Sequence, residues 1–100
     1  MKGKIERKLK LLARERRAVT AQARKKAFKK KNIVRCRYCG KGLTRQTATG
    51  DHVHPISMGG PNKVKNIVIA CAPCNSRKGS MAAGTFKELL RKEQAQRKGR

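Results

Sequence analysis

Tryptophan is absent from this chain, and only three of its hundred residues are aromatic. A chain of this length buries a modest fraction of its surface, so with so few large apolar side chains its core is marginal without a staple. Long apolar runs are missing too. None approaches the ~20 residues a transmembrane helix needs, and no stretch resembles the apolar centre of a signal peptide. The apolar residues nowhere form the broad face of a membrane-lying helix. These absences predict a soluble, cytoplasmic protein, a setting in which cysteines more often bind metal than form disulfides. Acidic residues are scarce as well. Five Asp and Glu stand against twenty-eight Lys and Arg, a net charge of +23. Such a field attracts polyanions, and nucleic acid is the expected partner.

The basic residues are unevenly spread. Residues 1–32 hold fourteen of them, with no Pro and no Gly after Gly3. Ile5, Leu9, Leu12, Val19 and Ala23 fall at steps of three, four or seven, one narrow stripe of a helix. Arg16 interrupts that stripe. The pattern predicts a basic N-terminal helix or arm, helical to about residue 28, against the alternative of a solvated tail. Residues 33–84 change to Cys, Gly, Pro and β-branched residues. A strand is expected to end near Asp51–Pro55, a loop to carry Gly59-Gly60-Pro61-Asn62, and a second strand to span residues 66–70. A helix should follow Cys74 and run through Met81 to about Ala83. Gly84 should break it. Thr85 and Glu88 carry a capping-box signature, which opens a short terminal helix with a basic tail over residues 85–100, loose at 97–100.

The cysteines are the candidate staple. Cys36-x-x-Cys39 and Cys71-x-x-Cys74 are two chelating pairs, each suited to a tight knuckle whose sulfurs reach one tetrahedral Zn²⁺. Four thiolates close the coordination shell, so the site would be structural and would supply folding free energy. Disulfides are the alternative. Thirty-one residues separate the pairs, more than the fifteen to twenty of an ordinary zinc ribbon.

That insert holds the chain's one Asp and both its His, as Asp51-His52-Val53-His54. A carboxylate suits a hard divalent cation, and a neighbouring imidazole can take a proton from water near neutral pH. Phosphodiester hydrolysis uses both. Taken alone, the pair equally suits a turn Asp beside a packed His.

Asp51-His52-x-x-Pro55, Gly59-Gly60, Asn66-Ile67-Val68 and Cys71-x-x-Cys74-Asn75-x-x-Lys78-Gly79 together resemble the HNH endonuclease family. The resemblance covers roughly residues 36–79 and includes a nine-residue step from Asn66 to Asn75. It implies a small α+β protein with a ββα-metal (His-Me finger) core, stapled by the four cysteines and flanked by the basic N-terminal helix and a short C-terminal helix. It further implies that Asp51 and Asn75 hold a catalytic cation, and that His52 is the general base. Asn66 would hydrogen-bond backbone near His52. Two oxygen ligands suit Mg²⁺ or Mn²⁺. Three-His relatives, such as the colicin DNases, differ where this chain has Asp51, Asn75 and Gly79. Arg77 and Lys78 are candidate phosphate contacts or exposed charge. His54 is either a further phosphate contact or a packed or solvent-facing side chain.

The expected activity is therefore metal-dependent DNA hydrolysis to 5′-phosphate and 3′-hydroxyl ends, nicking one strand with weak sequence specificity. Small proteins of this kind resemble phage or mobile-element nucleases, which leaves a homodimer or a packaging or replication partner open. A non-enzymatic zinc-ribbon nucleic-acid-binding protein is the alternative.

Overall fold

The computed structural model describes residues 2–98, with side chains from residue 5 to residue 97. Among these, three α-helices and two small antiparallel sheets make a small α+β structure. Helix α1 spans Lys2–Ala27. Strands β1 (Val34–Arg35) and β2 (Gly42–Leu43) pair as a hairpin around the first cysteine knuckle. Strands β3 (Ala48–His52) and β4 (Ile67–Cys71) form the second sheet, with Ala48 opposite Cys71 and His52 opposite Ile67. Helix α2 (Ala72–Lys78) follows β4 without a break, and α3 (Ala83–Lys98) closes the chain.

β4 is the stronger strand by composition, an Ile-Val-Ile run that favours the pleated backbone. β3, Ala-Thr-Gly-Asp-His, has little strand preference of its own and is held by the ladder with β4. The backbone N–H of Arg37 donates to the Ile69 carbonyl at 2.8 Å and ties the first hairpin to β4. The core is small: Phe28, Cys36, Leu43, Ala48, Ile69, Ala70 and Cys71. Phe86 of α3 is buried beside it, its ring edge-on to Tyr38 at 5.0 Å.

α1 is more than an arm. Its second half lies across β3 and β4, and Ala23 and Phe28 are buried. Arg45 fastens its end: the guanidinium sits 5.5 Å from the centre of the Phe28 ring and donates to the Phe28 carbonyl at 3.0 Å. The first half projects, leaving Ile5, Leu9 and Leu12 exposed. One stripe thus serves two purposes along its length, and Arg16 stands where they meet.

The C-terminal elements differ from the sequence expectation. α2 begins at Ala72, capped by Cys71, whose sulfur accepts from the Cys74 N–H. It ends at Lys78, well short of Met81. Gly79, at φ 52° and ψ −123°, takes the chain out of the helix. Such a φ favours a residue without Cβ. Gly84 does not break a helix. It lies in the first turn of α3, which starts at Ala83, where the Ala83 N–H donates to the Val53 carbonyl at 3.0 Å. The capping box is not formed: Glu88 pairs with Arg91 instead. The expected boundary between residues 84 and 85 therefore falls inside a helix that belongs to the packed structure. Of the loose end expected at 97–100, Arg97 and Lys98 are helical, and residues 99–100 lie outside the described residues.

Phe28→Ala should cost about 3–5 kcal/mol, measured as a fall in the urea midpoint. Deletion of residues 1–30 should accordingly unfold the domain, whereas deletion of residues 1–12 should leave the midpoint within experimental error.

Candidate active site and metal centre

The two knuckles bring four sulfurs together. The Sγ atoms of Cys36, Cys39, Cys71 and Cys74 all lie within 4.8 Å of one another, an arrangement that can hold a metal ion. Cys39 and Cys71 are 3.7 Å apart across the gap between knuckles. A tetrahedron with bonds of ~2.3 Å has edges of about 3.8 Å, so the sulfurs fit a four-thiolate site. All four cysteines are free thiols, which sets aside the disulfide alternative in this structure. Burial pushes the Cys36 thiol up, but backbone N–H groups of Cys39, Cys71 and Tyr38 outweigh it and bring the group down to about 6. Burial pushes the Cys74 thiol up.

β3 runs directly from this cluster to Asp51 and His52. Asp51 is buried, 5% exposed, yet its carboxylate is well satisfied. Tyr38 donates to Oδ2 at 2.5 Å and Lys78 donates to Oδ1 at 3.1 Å. Burial and the facing carboxylate push the Tyr38 hydroxyl well above its usual range, so it remains a donor. Lys78 is 1% exposed and donates a second hydrogen bond, to the His52 carbonyl, at 3.1 Å. The expectation of a phosphate contact at Lys78 is thereby corrected. A lysine in the last turn of a short helix reads as surface, but here its side chain turns inward and the ammonium neutralises the buried Asp51 carboxylate.

The loop after β3 positions His52. A Cβ on Gly60 would lie 1.9 Å from the His54 carbonyl oxygen, so only glycine lets the loop return this closely. Buried Asn66 then closes it. Its Oδ1 accepts from the His54 N–H at 3.1 Å, and its Nδ2 donates to the carbonyls of His54 and Pro61 at 3.0 and 2.8 Å. Asn62 follows Pro61, and its Oδ1 lies 3.2 Å from His52 Nε2. With a carbonyl oxygen as the acceptor, Nε2 carries the proton. His52 Nδ1 has no hydrogen-bond partner among the described residues. The His54 side chain is exposed and only its backbone is held.

Asn75, at the middle of α2, is oriented by Thr49. Its Nδ2 donates to Thr49 Oγ1 at 3.1 Å, and that hydroxyl in turn donates to the Ala70 carbonyl. The Asn75 Oδ1 has no protein donor among the described residues. Asp51, His52 and Asn75 line one open cavity of about 330 Å³, together with Arg16, Gly50, Lys78 and Ser80. Arg77 stands on the other side of α2, paired with Glu93 and 5.9 Å from the Phe86 ring centre.

Three contributors escaped the sequence reading. Asn62 stood out only as a loop residue, Arg16 only as a gap in an apolar stripe, and Tyr38 not at all. No spacing rule links them to Asp51 or His52.

A short antiparallel hairpin joined to a helix, with a carboxylate, an imidazole and an amide oxygen around one opening, defines a site suited to cation-assisted hydrolysis. The family described as HNH endonuclease matches residues 36–90, more than half of the chain, and the chain belongs to that family. No curated protein matches it. No described helix is long and apolar enough to cross a membrane.

Lys78→Met should lower stability by roughly 3–5 kcal/mol, because it leaves the Asp51 carboxylate buried and without its cation. Adding Asp51→Asn should recover part of that loss. Urea denaturation of the two variants would check both outcomes, and equal midpoints for wild type and Lys78→Met would remove the pair from the account of stability.

Proposed function

We propose that the chain is a metal-dependent DNA endonuclease with a ββα-metal core, hydrolysing phosphodiester bonds to 5′-phosphate and 3′-hydroxyl ends. The observation that carries this reading is the convergence of Asp51, His52 and Asn75 on one cavity. In this reading Asp51 and Asn75 would hold the catalytic cation. They fit it. A carboxylate oxygen that accepts one hydrogen bond keeps a second lone pair, and the Asn75 oxygen is uncommitted. A bound Mg²⁺ or Mn²⁺ would stabilise charge developing on the phosphate and the departing oxygen.

His52 acts as general base. Asn62 holds the proton on Nε2, so Nδ1 is the basic nitrogen and takes the proton from the attacking water. Asn66 keeps the loop in place and thereby keeps Asn62 on His52. One such site cuts one strand, so a single chain nicks. The basic outer face of α1 supplies affinity for phosphates, and because such contacts carry no sequence information the specificity is weak. A zinc ion on the four thiolates would fix the start of α2 and, through Cys74, the neighbouring Asn75.

The purified protein should contain one zinc per chain, and Cys36→Ser should lose both the metal and the folded structure. Zinc analysis and circular dichroism check this. Incubated with supercoiled plasmid, the wild type should nick with Mg²⁺ or Mn²⁺ and not without an added divalent cation. His52→Ala should lower the rate by roughly a hundred- to ten-thousand-fold with DNA affinity and zinc content unchanged, while His54→Ala loses far less. Failure of the wild type to cut any form of DNA with either cation would favour a zinc-ribbon binding protein instead.

A further inference from the structure

Arg16 is the residue that breaks the apolar stripe of α1, and the structure places it at the cavity rather than in solvent at large. The reason is local. Gly50, next to Asp51 on β3, has no side chain, and α1 uses the space. A Cβ there would lie 2.4 Å from Thr20 Cγ2 and 3.2 Å from Ile67 Cγ2. Thr20 is one helical turn beyond Arg16, so the close approach at Gly50 sets where the guanidinium falls.

Two long cationic side chains line the cavity, and their situations differ. Lys78 is buried and spends its charge on Asp51. Arg16 is exposed and forms no ion pair among the described residues. A planar guanidinium suits two oxygens of one phosphate. We propose that Arg16 is a substrate-binding residue of this cavity, gripping the non-bridging oxygens of the phosphodiester presented to His52. The inference rests on the nuclease reading and adds the group that receives the scissile phosphate. It also explains the stripe: the positions before Arg16 are apolar and unpacked, those after it are apolar and packed on the sheet, and the one cation sits over the opening.

The test compares Arg16→Ala, Arg16→Lys and, as a control for the loss of one charge elsewhere, Lys92→Ala on α3. Plasmid nicking is measured with Mn²⁺, and binding of a short duplex is measured without added divalent cation over a range of salt. Arg16→Ala should lower kcat roughly a hundredfold, the scale of losing one donor to transition-state charge. It should also reduce the slope of log affinity against log salt by about one, the loss of one phosphate contact. Arg16→Lys should keep the slope and recover only part of kcat, and Lys92→Ala should change neither. Unchanged kcat and slope in Arg16→Ala overturn the proposal while leaving the nuclease reading intact. A wild type that never cuts, but whose Arg16→Ala variant alone loses the unit of slope, overturns the nuclease reading and supports the phosphate contact. A wild type that never cuts and an unchanged slope overturn both.

Discussion

A single carboxylate withdrawn from water organises this protein. Asp51 is joined to α2 by the Lys78 ammonium and to the first knuckle by the Tyr38 hydroxyl. Removing two charges from water costs several kcal/mol each, and only close pairing with further hydrogen bonds offsets it. Lys78 meets that demand through its second bond, to the His52 carbonyl. The pair therefore fixes the backbone of the residue beside the carboxylate as well as the carboxylate itself. In a domain whose main apolar cluster is seven residues, such a buried polar pair matters to how the elements are joined.

The cavity is assembled by a relay of small constraints. Gly60 admits the loop, Asn66 closes it, and Asn62 meets His52. On the opposite wall Thr49 sets the amide of Asn75. Each partner is short and polar, with few rotamers to lose, so orientation costs little entropy. The same economy separates two functions on α1. Its packed half shapes the cavity wall, and its projecting half offers charge to the surroundings.

Much of this was legible in the sequence, unequally. The paired cysteines, the two strands around Asp51 and Asn66, and the long basic helix were readable because each is local: a spacing, a β-branched run, a periodicity. The HNH resemblance added positions whose order along the chain is itself the signal. What escaped depends on contacts between distant segments. Lys78 looked exposed because helical position says nothing about which face is covered. Phe28 stands inside a run of lysines and gave no sign that it would fill the core. The capping signature at Thr85 lost to a longer helix, because the Val53 carbonyl supplied a partner two residues earlier. Asn62 could not be assigned at all without the loop that returns it to His52.

The wall of the cavity draws on residues as far apart as Arg16 and Ser80. That separation governs when the site can exist. α1 is synthesised before the strands, yet the core cluster that takes in Phe28 is completed only by Ile69, Ala70 and Cys71, some forty residues later. Contacts of such sequence separation form late in folding, after their loop-closure entropy has been met. A ribosome-bound chain lacking α2 holds Asp51 without Lys78 and His52 without the opposite wall. Such a chain already carries much of the positive charge but has no assembled cavity, so in the making of each molecule the charge comes before the site.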